Sequence, residues 1–216
     1  MGVIAILIGL LMPTIWSVRE TARRVVCGSN IRQLGIGIAL FADENRDRLP
    51  PTQFNGKDAK PQEMLRVRVE QQANGVSFND WDGLGYLYGG GYLPEPHLFY
   101  CPSHTGENTF RAHADRWMNP GLTILCNYQF RGMGPNKEVR LSLIDPNSAA
   151  LVADGLRTKS DFNHKVGGNV LRADLSVVWF RDSAGHIVAA LPLADANANA
   201  KDTDTAWKLL DDELAK

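Results

Sequence analysis

The run MGVIAILIGLLMPTIW, residues 1–16, carries no charged side chain, and only Thr14 among them has a polar one. A helix crossing about 30 Å of hydrocarbon at 1.5 Å per residue needs roughly 20 such residues, so the run is membrane-like in composition and short in length. Four readings compete for it: a buried core helix, a cleaved signal peptide, an interfacial helix and part of a transmembrane span. A signal peptide opens with a basic region and closes on small residues, whereas this chain opens apolar and continues through Pro13, Thr14 and Trp16. An interfacial helix carries a charged face along its length, and none exists before Arg19. The span is the reading that survives best, with the core helix as its rival.

The helical pattern continues through SVRETARRVVCGSNIRQLGIGIALFADENRDRLPP. Apolar positions recur at Ile15, Val18, Ala22 and Val26, then at Cys27, Ile31, Leu34, Ile38 and Phe41, so the stripe slips by one position at Val26 and Cys27. Gly28, Gly35 and Gly37 each weaken helix propensity by up to about 1 kcal/mol, which leaves packing to hold the second half. Pro50 and Pro51 close the pattern after the charged stretch from Asp43 to Arg48.

An apolar helix with an internal proline, an Arg-rich exit and an amphipathic continuation resembles the N-terminal region of type IV pilins and type II secretion pseudopilins. The segment IAILIGLLMPTI followed by the Cys-x-x-Asn-x-x-Gln element CGSNIRQ, Cys27 to Gln33, is similar to a bacterial family of pilin-like proteins with a prepilin-type N-terminal methylation region, known from a domain of unknown function and a His-x9-Asp-Gly motif. The likeness covers about the first 45 residues. Members begin with a short basic leader and a Gly-Phe-Thr-Leu-x-Glu element, cut and methylated by a prepilin peptidase, and neither is present here. The resemblance therefore implies a start placed too late or a shortened chain, and about ten further apolar residues would bring the run to spanning length. Arg19, Arg23 and Arg24 alone would hold the exit on the cytoplasmic side, so the implied outward orientation needs a basic leader to outweigh them.

Further along, Thr52 to Gly75 is polar and irregular, with MLRVRVEQQ from Met64 readable as helix or strand. WDGLGYLYGGGYLPEPHLFYCPSHT, from Trp81 to Thr105, joins aromatics to a glycine run; no Lys-Ser/Thr follows Gly91, so a connection beneath packed aromatics is expected rather than a phosphate cradle. After Pro135 come short β-like runs from Glu138, Ser148, Gly168, Ser176 and Gly185, separated by turn residues, which predict an antiparallel meander. ADANANAKD reads as a linker and TDTAWKLLDDELAK as a terminal helix capped by Thr203 or Asp204, its acidic residues forming a solvated face.

Candidate chemistry is sparse. Cys101 and Cys126 have spacing suited to a disulfide, worth roughly 3 kcal/mol outside the cytoplasm, or are two reduced, partly buried thiols. Cys101, His104, His113 and Cys126 offer zinc donors, but the spacing Cys-x2-His-x8-His matches no familiar finger or ribbon, and no metal is expected. A thiol followed by Pro102 gives no sign of a cysteine-protease base. HKVGGNVLRAD, His164 to Asp174, resembles the His-x9-Asp-Gly motif with Leu175 in place of glycine; it reads as a hairpin holding a hydrogen-bonded structural pair, and leucine disfavours a turn with positive φ there. Asp145, Asp154, Asp161 and Asp174 are hard oxygen donors suited to calcium, as in some pseudopilins, yet no Asp-x-Asp-x-Asp-Gly loop places an ion.

The expectation is an α+β protein: a long N-terminal helix, apolar then amphipathic, packed on a small antiparallel sheet in the pilin manner. Residues 1–49 form the membrane and assembly helix, with Ile4, Ile6, Leu7, Leu10, Leu11, Pro13 and Ile15 as its apolar surface; 50–193 form a globular domain; 194–216 form the linker and terminal helix. The resemblance implies a non-enzymatic subunit without cofactor, anchored once in a bacterial inner membrane, its domain facing the periplasm or exterior, and partnered by itself or other pseudopilins in a secretion or surface filament. A net charge of -1 gives no basis for nucleic-acid binding, and no small-molecule substrate is identified. The alternatives are a tethered extracytoplasmic module binding a ligand through Trp81 to Tyr100, and a metal-dependent hydrolase built from His164, Asp154 and Asp174.

Overall fold

A computed structural model of the chain describes residues 2–54, 59–73, 76–119 and 122–216, with residues 2–11, 13–14, 71–73 and 76–79 described by backbone alone. Helix α1, Gly2–Glu44, runs 43 residues without interruption through Pro13. Its second half buries Cys27, Ile31, Leu34, Ile38 and Phe41 at spacings of three and four, the geometry that keeps one face inward. Upstream of Cys27 the side chains of Met12, Ile15, Trp16, Val18, Val25 and Val26 are exposed. The slip in the apolar stripe therefore marks the point where α1 enters the domain. At Gly35 a Cβ would lie 2.7 Å from Leu171 Cδ1, so the glycine that weakens the helix also lets it approach the sheet closely. The helix stops before Pro50: Asn45 caps the Phe41 carbonyl through Nδ2 at 2.8 Å, and Arg46 and Asp47 turn left-handed at φ 59 and 65.

Two antiparallel sheets follow. Strands β1, Arg66–Ala73, β2, Val76–Trp81, and β3, Ile124–Leu125, form a three-stranded sheet in the order β2-β1-β3. Strands β4, Tyr128–Phe130, β5, Ala150–Asp154, β6, Gly167–Arg172, and β7, Val177–Arg181, form a four-stranded meander in sequence order. Helix α2, Gly85–Gly89, and helix α3, Phe110–Trp117, cover the first sheet. The meander is packed on both faces. Leu151, Val152 and Leu171 join the core beneath α1, whereas Ala153, Val170 and Phe180 join a second core with α4, His186–Ala190, and α5, Ala200–Leu214.

Several expectations change. The run from Glu138 gives a single 3-10 turn at Leu141–Leu143 and one bridge, Arg48 to Arg140, rather than a strand, and Leu143 stays exposed. The run from Gly185 is helix α4, because Ile187 and Leu191 sit four apart and bury one face together. Helix α5 begins at Ala200 with Asn199 and Asp202 in a capping box, not at Thr203 or Asp204, so the expected linker is largely its lead-in. MLRVRVEQQ resolves into a 3-10 turn and then β1. Neither boundary at 49 nor at 193 separates independent units: α1 supplies the first core and α5 supplies Ala206, Trp207 and Leu210 to the second.

The acidic face of α5 is only partly solvated. Asp211 pairs with Arg131 at 2.6 Å, with side-chain exposures of 13% and 7%, and its other oxygen accepts the Ala150 N–H at 2.9 Å. Asp211→Ala leaves a buried guanidinium and a strand N–H unpaired, and is expected to lower the unfolding free energy by about 3–5 kcal/mol in urea denaturation. Asp212→Ala, on the exposed side of the same turn, is expected to change it by no more than about 0.5 kcal/mol.

Candidate functional site

Where α1 enters the domain, four polar side chains from distant parts of the chain converge in the interior. Cys27 comes from α1, Cys101 follows the 3-10 turn Pro96–Phe99, Asp154 ends β5 and His164 lies in the loop before β6. One donor atom from each lies within 4.8 Å of every other, and all four residues are buried. His164 is held at both nitrogens: Nδ1 lies 2.6 Å from Glu20 Oε1 and Nε2 lies 2.9 Å from Asp154 Oδ2. Cys27 Sγ donates to the same Asp154 Oδ2 at 3.0 Å, and Cys101 Sγ lies 3.5 Å from His164 Nε2.

A surrounding layer fixes these groups. Ser103 Oγ donates to Glu20 Oε2 at 2.9 Å, Asn163 Nδ2 donates to Asp154 Oδ1, and His104 Nδ1 meets Asn163 Oδ1 at 2.6 Å. Tyr128 donates to Cys27 Sγ at 3.5 Å from below. Trp179 closes the outer side, edge-on to the His164 ring at 5.4 Å, with the Arg24 guanidinium 4.6 Å over its own ring.

Burial pushes the His164 imidazole towards its neutral form, but hydrogen bonds to Asp154, Cys27 and Glu20 and the charge of Asp154 outweigh it and raise the group to about 10. Burial, reinforced by Cys27 and Asp154, pushes the Cys101 thiol up strongly, so it stays protonated and makes a poor nucleophile. Burial also pushes the Tyr128 phenol well up. The result is a sealed polar cluster. All four donor side chains are buried.

The expected site residues fall in different places. The three thiols are all free: Cys101 faces Cys27 and His164, while Cys126 faces away and donates to the Leu65 and Tyr128 carbonyls at 3.2 and 3.1 Å. The Cys101–Cys126 bridge is therefore absent from the structure, as is the Cys101, His104, His113, Cys126 donor set, since His113 pairs with Asn108. His164 and Asp174 do not pair either. Asp174 sits in the turn after β6 and bonds Ser176 and Arg172, and Leu175 beside it adopts φ 65, the left-handed conformation that leucine disfavours. Leu175 is half-buried against the core under α1, and that burial offsets the strain.

The four calcium candidates are scattered: Asp145 bonds Ser148, Asp161 bonds Arg157 and Thr158, and Asp154 alone belongs to the cluster. The aromatics from Trp81 to Tyr100 pack on one another and on Trp117, with Tyr88 and Phe99 at 4.8 and 4.9 Å from its ring, so they form core rather than a ligand cleft. Ile4, Ile6, Leu7, Leu10, Leu11 and Pro13 have helical backbone and lie outside the described side chains; Ile15 is exposed. Sequence reasoning missed Glu20 and Cys27 as site residues. The signals were present in the stripe slip that turns Cys27 inward and in a lone carboxylate among the arginines of the exit.

Comparison with protein-family models, with curated proteins and with solved structures finds no match to this chain.

The clasp on His164 sets a pH dependence. The unfolded imidazole titrates near about 6.5, and in the fold the group is raised to about 10, so its contribution is complete below the lower value and disappears as pH rises through the upper. Cys101 and Cys126, both raised by burial, act in the same direction above the ordinary thiol range. In chelating buffer the thermal unfolding midpoint is expected to fall between about pH 7 and about pH 10, and His164→Gln is expected to flatten that fall.

Proposed function

We propose that this chain is a non-enzymatic, pilin- or pseudopilin-like subunit, rooted in a bacterial inner membrane by the first half of α1, with its α+β domain in the periplasm or at the cell exterior. The observation that carries the reading is the division of α1. From Cys27 to Phe41 one face of α1 is domain core, with Ile36 and Leu40 exposed on the other, whereas upstream no large apolar side chain among Met12, Ile15, Trp16, Val18, Val25 and Val26 is covered on the same continuous helix. Exposed apolar surface of that extent requires lipid or a protein neighbour.

The stretch Ile15–Glu44 is long and apolar enough to cross a membrane, a test that core helices and signal sequences also pass; half of its most apolar window is buried in the domain. On this reading the lipid-facing part of α1 is the part before the Arg-rich exit. Arg24 stacks on Trp179 of β7 and so travels with the domain, which favours an exit on the domain side of the membrane. Within lipid a helix satisfies its own backbone, and subunits associate through side-chain packing along it. The partners are then copies of this chain or related pseudopilins. Against the binding-module alternative, Tyr88 and Phe99 pack on Trp117, and against the hydrolase alternative, Asp174 bonds Ser176 away from His164 and Asp154.

Val18→Cys and Val25→Cys place thiols on the projecting half while the native thiols remain buried. The full chain, expressed in a bacterial host and treated with a short bismaleimide in isolated membranes, is expected to give a ladder of dimers and larger species. Recovery in the soluble fraction, or a monomer at both positions in membranes, would overturn the reading.

A further inference from the structure

Beyond that reading, we infer that Cys27, Cys101, Asp154 and His164 form a structural site for a borderline-soft divalent cation, zinc by preference, which pins α1 to the sheet. The donor set is two thiols, an imidazole and a carboxylate, the chemistry that suits tetrahedral zinc rather than calcium or magnesium. It is drawn from four separate segments, so it cannot arise from local spacing. It also has the outer layer that metal-ligating residues require. Glu20 occupies His164 Nδ1 at 2.6 Å, which leaves Nε2 as the atom facing the thiols and Asp154 Oδ2. Asn163 holds the other oxygen of Asp154, and Ser103 holds the other oxygen of Glu20.

The spacing is close to what the ion needs. Around zinc with bonds of about 2.3 Å to sulfur and about 2.0 Å to nitrogen, a tetrahedral S···N edge is about 3.5 Å, and Cys101 Sγ lies 3.5 Å from His164 Nε2. The contacts of Asp154 Oδ2 to His164 and Cys27, 2.9 and 3.0 Å, are hydrogen bonds whose protons the ion replaces. These two edges open by about 0.5 Å on loading. The two thiol protons and the proton on His164 Nε2 pass to solvent, and no bond other than coordination forms. Four protein donors, all buried, fit a structural site, because a catalytic zinc keeps a position open.

The test uses the full chain purified in detergent under reducing conditions. Elemental analysis after dialysis against zinc is expected to give one ion per chain, and cobalt titration of the stripped protein is expected to show thiolate-to-cobalt charge transfer with tetrahedral d–d bands. Cys101→Ser is expected to abolish the charge-transfer signature of that thiolate and Cys126→Ser to leave the spectrum intact. Glu20→Gln keeps all four ligands and is expected to weaken zinc about 10- to 100-fold, a loss that mere folding would not produce. Far-UV circular dichroism verifies that each variant is folded. Absence of stoichiometric metal in folded wild-type protein, a cobalt spectrum indifferent to Cys101→Ser, or a Cys27–Cys101 disulfide found by mass spectrometry in protein purified without reductant would overturn the inference.

Discussion

A buried imidazole with a carboxylate on each nitrogen is the constraint around which the domain is arranged. Glu20 lies on α1 and Asp154 on β5, so the His164 clasp ties the helix to the central sheet at one fixed height and rotation. Left without either partner, His164 would carry the cost of an unpaired buried group, several times a typical hydrogen bond. The apolar packing below it, Ile31 and Ile38 on the helix against Leu171 on β6, is less exacting, since hydrophobic contact tolerates sliding while hydrogen bonds do not. Gly35 against Leu171 and Gly28 against Asn169 keep α1 close to β6 along that face. Clasp and core thus specify the same helix position by different physics.

Position, in turn, decides what the projecting half can do. A helix is stiff over this length, so fixing Glu20 and Cys27 fixes the direction in which Trp16 and Val18 leave the domain. Arg24 over Trp179 and the Asn169 side-chain amide on the Arg24 carbonyl, 3.0 Å, brace the same turn from the β6–β7 side. Exposed apolar side chains flank that brace, Val25 and Val26 after it and Val18, Trp16 and Ile15 before it. A subunit that associates through such a face gains from having its angle set by the fold, because less freedom is lost when neighbours dock.

How much of this was legible in the sequence depends on the range of the interactions. The helix could be read through Phe41 because its periodicity is local, and β5, β6 and β7 because short apolar runs bounded by turn residues are local signals too. Glu138 to Ile144 misread as a strand because Val139, Leu141 and Leu143 alternate, yet Leu143 stays exposed and the run pairs only at Arg140; Gly185 to Leu191 misread because only a second core turns Ile187 and Leu191 onto one helical face. The cluster was illegible for a stronger reason: Cys27 and Asp154 are 127 positions apart, and only tertiary folding joins them. The motif-like spacing from His164 to Asp174 pointed to the right histidine and the wrong aspartate. Asp174 marks the hairpin turn, while the histidine looks back across the sheet to Asp154.

On the reading proposed above, the cluster has a mechanical role. Its Cys101 thiol is driven away from the reactive thiolate, its histidine has both nitrogens engaged, and its outermost carboxylate, Glu20, is 31% exposed. Glu20 stands at the boundary between the buried and projecting halves of α1, so any bending or rotation of the outer helix must first disturb the Glu20 bonds to His164 and Ser103. A polar network whose outermost member is the helix exit couples the state of the projecting segment to the stability of the domain core. That coupling suits a subunit whose folding and packing along one helix must agree.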